Sequence, residues 1–203
     1  LIQDFYIQAQ KQVECKQLIK GSKFFGFLYP VADEHKAKEK LVELKKTFSD
    51  ATHHCFAYVL GKQSEIEKWS DDGEPSNSAG RPILRAIHSS QCTNVLVVVV
   101  RYYGGKQLGV PGLIEAYGST AENLFDQVEL EHIPILLDYV LKCDFAHEKD
   151  AWLFIRQQKL QSKQIEYSHS HCFIKVQVPV FQEQEFLKSL STFYMLGLEK
   201  GKE

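Results

Sequence analysis

The sequence predicts an α+β protein built as two successive units, and three observations carry that expectation. Segments with helical periodicity alternate with aromatic and β-branched runs of strand type. One run, Asn94 to Tyr102, is apolar on both faces and so belongs in the middle of a sheet. A polar connection, Glu131 to Pro134, then separates a first pattern from a second. The domains expected are residues 1–132 and residues 135–203.

Within the first unit, the segment through Ile19 alternates unevenly and Lys23 to Val31 is aromatic-rich, which predicts two early strands joined near Gly21. From Asp33, a helix N-cap, Ala37, Leu41, Leu44 and Phe48 recur at helical spacing, with Lys45 and Lys46 in the last turn where the helix dipole favours cations. Thr52 to Leu60 reads as a strand. Gly61 to Gly80 reads as a long polar loop, part of which can extend a strand, and a structureless loop of that length in a compact domain points to function. Pro82 suits the N1 position of a short helix carrying Ile83, Ala86 and Ile87. A glycine-rich turn from Gly104 to Gly112 feeds a second long helix reaching about Val128.

The second unit reads as a strand (Ile135 to Cys143), a helix (Ala146 to Leu160), an antiparallel pair (Gln164 to Tyr167 and Cys172 to Val178) and a helix (Phe181 to Tyr194). This βαββα order becomes a ferredoxin-like split unit if Leu196 to Glu199 adds a short edge strand.

Composition narrows the function classes. Hydrophobic residues make up 44% and charged residues 25%, so a packed core is expected rather than disorder. A net charge of −2 provides no general attraction to nucleic acid or anionic lipid, so any such binding rests on a local patch. The longest aliphatic run, Val95 to Val100, is far too short to span a bilayer, and no signal-peptide pattern is present. The 5 cysteines are odd in number, spread out and without CxxC, which argues against a disulfide framework or a structural zinc site. Together these features predict a cytoplasmic protein without a membrane segment.

Three segments could carry chemistry. In Thr52-His53-His54-Cys55, strand alternation places His53 and Cys55 on one face and His54 on the other. A thiolate-imidazole or metal pair is geometrically possible there, but a metal needs further ligands, and a Cys in an apolar row behaves as a small hydrophobe. In Trp69 to Ser76, the carboxylates Asp71, Asp72 and Glu74 crowd together just before Ala79-Gly80-Arg81-Pro82. Such a cluster reads either as a solvated Asx turn with a helix cap or as acid, base or metal-binding groups. In Arg101 to Gly112, Gly104, Gly105, Gly109 and Gly112 let backbone approach a ligand, a helix N-terminus follows, and Arg101 and Lys106 add charge. That combination suits a phosphate or another anion, although neither GxxxxGK[ST] nor GxGxxG is matched.

At these segments the chain resembles the Impact/YigZ family, whose first domain carries a DATHxC strand, an SDDGEPSGTAG loop and an RYxGGxxLGxGGL turn followed by AY. Here they read Asp50 to Cys55 (DATHHC), Ser70 to Gly80 (SDDGEPSNSAG) and Arg101 to Leu113 (RYYGGKQLGVPGL) with Ala116-Tyr117. The likeness takes in Ser22 to Phe25 upstream and, by pattern, the second unit. It implies a first domain of the ribosomal protein S5 domain 2-like fold and a second, ferredoxin-like domain similar to late domains of elongation factor G. The resemblance also implies a link to translation, because eukaryotic relatives are translation regulators acting in the amino-acid-starvation kinase pathway; they carry an additional N-terminal partner-binding domain, so their partner does not transfer to this chain. The family motifs bring His53, Cys55, Asp71, Asp72, Glu74, Ser76, Arg81 and Tyr102 forward as pocket candidates. Departures are Asn77-Ser78 in place of Gly-Thr, Pro111 in place of a glycine, and Glu115 at a commonly basic position, which weakens a grip on phosphate.

The function expected is that of a non-enzymatic, translation-associated factor. It would bind RNA, the ribosome or a translation-machinery protein through the glycine-rich turn, with Lys23, Arg81 and Arg85 in support. The alternatives are an enzyme acting on a small phosphorylated or nucleotide substrate at the same turn, and a protein-binding adaptor using the second sheet. No catalytic residue, metal or cofactor is assigned.

Overall fold

The structure, a computed structural model, describes residues 4–200. The chain forms two compact units, one spanning Phe5–Ile133 and the other running from Pro134 onward and taking in Asp4. Among the described residues no helix is long and apolar enough to cross a membrane.

The first unit is built on a five-stranded sheet in the order β2 (Val13–Ile19), β3 (Ser22–Pro30), β6 (Val95–Tyr102), β4 (His53–Leu60), β5 (Ile66–Ser70). The run of Val and Leu in β6 occupies the central position because both of its faces are covered. Val95, Val97 and Val99 pack under α2 (Gly80–Ser90) and α3 (Gly109–Phe125), while Leu96, Val98 and Val100 pack under α1 (Glu34–Thr47). Asp33 caps α1 through Oδ1, which accepts the Lys36 N–H at 2.8 Å.

Several elements depart from the sequence reading. The uneven start is two strands, β1 (Phe5–Ala9) and β2, because the chain bends at residues 10 and 11 and the alternation restarts at Val13. The polar connection at Glu131 to Pro134 is itself a strand, β7 (Leu130–Pro134), paired with β1. Its backbone finds partners there although its side chains look like a linker. Within the supposed loop of residues 61–80, Ile66–Ser70 pair with β4 as an edge strand whose side chains are almost all exposed, which is why polarity hid it. Helix α2 begins at Gly80, so Pro82 is its third residue rather than its first; it still lies within the first turn, where a backbone N–H has no helical partner. Helix α3 begins at Gly109, inside the expected turn, and ends at Phe125 rather than Val128.

The second unit is a four-stranded antiparallel sheet in the order β11 (Gly197–Lys200), β8 (Leu136–Asp144), β10 (His171–Pro179), β9 (Gln161–Tyr167). Helices α4 (Glu148–Gln157) and α5 (Glu183–Leu190), each led by a short 3-10 turn, supply Phe154 and Phe186 to its core. The short last strand is present at the edge and completes the split βαββαβ order. Both helices are shorter than their periodicity predicts, and Phe193 and Leu196 reach the core from the turn after α5.

Candidate functional site

The three marked segments converge at one end of the first sheet because β4 and β6 are neighbours. His53 lies directly opposite Arg101, and strand alternation turns both toward the α2 and α3 side together with Cys55. Burying Arg101 demands a counter-charge, and the acidic loop supplies it. Arg101 Nη1 donates to Glu74 Oε1 at 2.6 Å, with side chains only 6% and 4% exposed. The same Glu74 oxygen accepts the Tyr117 hydroxyl at 2.8 Å and lies 3.8 Å from His53 Nε2. Arg101 Nη2 donates to Ser22 Oγ at 3.3 Å, and the guanidinium sits over the rings of Phe24 and Tyr103. Its Nε is buried without a hydrogen-bond partner among the described residues.

The other two carboxylates serve the backbone. Asp71 Oδ1 accepts the Ala79 and Gly80 N–H groups at 3.0 and 2.8 Å, and its Oδ2 accepts the Asn77 N–H at 2.9 Å. It therefore caps the N-terminus of α2 from across the loop. Asp72 Oδ2 accepts the His54 N–H at 2.7 Å and Oδ1 accepts Lys45 Nζ at 3.2 Å. Burial alone would raise the Asp72 carboxyl, but the His54 N–H and Lys45 outweigh it and hold the group below its ordinary value. Repulsion within the loop is thus relieved by sending each carboxylate to a different partner. Among the described residues, no three His, Cys, Asp or Glu side chains converge as a metal site.

Cys55 is fully buried, donates to the Asp71 carbonyl at 3.0 Å, and is held firmly as a thiol by burial first, with the nearby carboxylates adding to it. It has the surroundings of a core thiol, not of an activated nucleophile. Burial, reinforced by Cys55 and Glu74, likewise pushes the Tyr117 hydroxyl up, so it donates as a neutral phenol. Ser76 is exposed and accepts from Asn77 Nδ2, and Arg81 stacks on Trp69 at 4.8 Å. Tyr102 faces the α1 side, where its hydroxyl donates to Asp50, so it stands apart from the Arg101 network.

At the glycine turn, Gly104 is fixed by close approach: a Cβ there would lie 2.0 Å from the Gly21 carbonyl carbon, and its N–H donates to Ser22 Oγ. Gly105, at φ +82, takes the left-handed backbone in open space. Lys106 is exposed. A cavity of about 260 Å³ opens beside this turn, lined by Glu74, Arg101, Tyr103, Gln107, Gly109 and Val110 among others. Its rim includes the start of α3, a 17-residue helix whose N-cap residue Leu108 provides no side-chain cap, so among the described residues its first N–H groups have no capping side chain.

Tyr117, Ser22 and Tyr103 are not among the pocket candidates, although all three fall in stretches that carry the family resemblance. Tyr117 follows Leu113 by one helical turn on the apolar stripe of α3, and a buried phenol requires a hydrogen-bond partner; that was the available signal. Ser22 stands in a stretch of family likeness, but its role arises only when the β2–β3 turn meets the end of β6.

The chain is 31% identical over 197 residues to the IMPACT family member YvyE of Bacillus subtilis, covering 97% of this chain and 88% of that one. It is 30% identical over 177 residues to the IMPACT family member YigZ of Escherichia coli, covering 86% of each. It also matches Protein IMPACT of Oryctolagus cuniculus, 38% identical over 109 residues, which span 51% of this chain and 33% of that one. A crystal structure titled as that of a hypothetical protein superposes over 100% of both chains with a TM-score of 0.73 at 28% identity. The Impact N-terminal domain model matches residues 20–125, the segment that holds every residue of the Arg101 network, and with relatives this similar over most of its length the chain belongs to the Impact family.

Proposed function

We propose that this protein is a non-enzymatic, translation-associated factor that seats a phosphate group of ribosomal RNA beside the glycine turn. The observation that carries this reading is the cavity where buried Arg101, whose Nε has no hydrogen-bond partner among the described residues, meets the start of α3, which its N-cap residue Leu108 leaves without a side-chain cap. The family likeness to translation regulators supports the partner class. Because Glu74 balances the charge of Arg101, the attraction comes from the helix N–H groups and Lys106, and Glu115 one turn further along opposes it. Affinity is therefore local and moderate, in keeping with the net charge of −2.

The test is co-sedimentation with purified ribosomes at low and moderate salt. Lys106→Glu is the informative variant, since Lys106 is exposed and removing Arg101 would disturb the fold itself. Pelleting that weakens with salt, and severalfold with Lys106→Glu, is expected. Protein that stays in the supernatant at every salt concentration, or pelleting indifferent to Lys106→Glu, overturns the reading.

A second reading, an enzyme acting on a small phosphorylated or nucleotide substrate at the same turn, is favoured by one feature. His53 Nε2 stands 3.8 Å from a Glu74 oxygen that also accepts from Tyr117, which gathers an imidazole, a carboxylate and a phenol beside the turn. A thermal-stability screen with nucleotides, with and without magnesium, separates the two: a ligand-dependent rise favours the enzyme, and its absence leaves the binding factor.

A further inference from the structure

The core face of the second sheet holds a feature outside the site described above. Along β8 and β10 the core-facing pairs run Leu137 with Val178, Tyr139 with Val176, Leu141 with Ile174, and then Cys143 with Cys172. The last pair places two free cysteines directly opposite each other, 2% and 0% exposed. Opposed residues of an antiparallel pair have Cα atoms about 4.5–5.5 Å apart. That spacing lies within the roughly 4.4–6.8 Å that a disulfide spans. We propose that Cys143 and Cys172 form a modification site, a reversible cross-strand disulfide made by exchange with a low-molecular-weight disulfide.

The chemistry balances with that oxidant. One cysteine thiolate attacks a sulfur of the small disulfide, whose S–S bond breaks and releases one small thiol. The second cysteine then attacks the protein sulfur of the mixed disulfide, forming the Cys143–Cys172 bond and releasing the second small thiol. The two cysteines lose two electrons and two protons in all, and the small disulfide is reduced to two thiols.

Access is the controlling step. Burial raises both thiols, Cys143 to about 11, with Glu148 adding to each, so the closed sheet keeps them reduced and slow. The pair lies one residue in from the end of the ladder, behind the pair of His171 and Asp144, whose side chains meet at 3.1 Å. On the β9 side Cys172 is opposite Tyr167, which is exposed and whose hydroxyl donates to Glu148. Opening of this sheet end is therefore enough to admit the oxidant, without unfolding the rest of the core. Once formed, the bond fastens the two central strands and closes a loop that contains α4 and β9.

The experiment uses the whole protein in native buffer with graded glutathione disulfide, followed by alkylation of the remaining thiols and peptide mapping without reductant. The expected product links the Cys143 and Cys172 peptides, is reversed by dithiothreitol, and leaves the buried Cys55 and Cys92 as alkylated thiols, while half-buried Cys15 is open to a glutathione mixed disulfide. The thermal midpoint of the second unit should rise by on the order of 10 °C, from closing a loop of roughly thirty residues. Cys172→Ser should abolish the link and leave Cys143 as a thiol or a glutathione mixed disulfide. Recovery of both cysteines as free thiols or as separate mixed disulfides, or a link that forms only in denaturant, overturns the proposal. The wild-type map decides the matter even where a serine variant folds poorly.

Discussion

With both side chains almost wholly out of water, Arg101 and Glu74 hold an ion pair whose partners each depend on the other's presence. Removing one leaves the other charge buried and uncompensated, which costs about 3–5 kcal/mol. Arg101→Ala is therefore expected to lower unfolding stability by about that amount in a urea titration. A loss under about 1 kcal/mol would mean that water already reaches Glu74. Asp72 carries the pH dependence of the same loop. Its folded value is depressed, so its contribution is present above the unfolded carboxylate value of about 3.9 and is lost as the pH falls through the lowered one. Asp72→Asn should accordingly be less stable than wild type at neutral pH, with the gap closing at the acid end. Parallel stability curves for the two proteins across the whole acid range would remove this role from Asp72.

At the scale of elements, the junction between the β2–β3 turn and the end of β6 depends on one missing side chain. A Cβ on Gly104 overlaps the backbone of Gly21, which cannot swing aside as a side chain would. Gly104→Ala should therefore cost more than about 2 kcal/mol. Gly105→Ala, with a positive φ but nothing within 4 Å, should cost only about 1 kcal/mol. Equal losses in denaturant titrations would show that conformation, not close approach, governs both positions. Elements whose side chains face a core were legible in advance: the helical spacing of Ala37 and Leu44, the double-sided apolar run of β6, and the alternation that put Cys55 and His54 on opposite faces. Elements held chiefly by backbone pairing were not. β5 shows almost only exposed side chains, and β7 reads as polar punctuation until β1 lies beside it. The candidate site was legible in the same uneven way. Arg101, Glu74 and His53 stood out by type, but whether Arg101 faces a ligand or a carboxylate depends on which loop folds over it, and periodicity holds no record of that.

For the molecule as a whole, each compact unit has its own core, and a mutation in one should leave the other's transition in place. Phe154 is the sharpest probe, because it is fully buried and packs against Phe186 and Phe193 with ring centroids 5.7 and 5.0 Å away. Truncating it costs about 3–5 kcal/mol. A unit of this size draws only about 3–5 kcal/mol from a single core. Phe154→Ala should therefore bring the second unit close to its unfolding midpoint in the absence of denaturant. The two tryptophans make the test local: Trp69 lies on β5 of the first unit and Trp152 on α4 of the second. In a Trp69→Phe background, the fluorescence of Trp152 should report a midpoint shifted to much lower urea by Phe154→Ala. In a Trp152→Phe background, Trp69 should report an unchanged midpoint. If both tryptophans moved together, the two cores would be unfolding as one cooperative body, and neither unit would be stable alone.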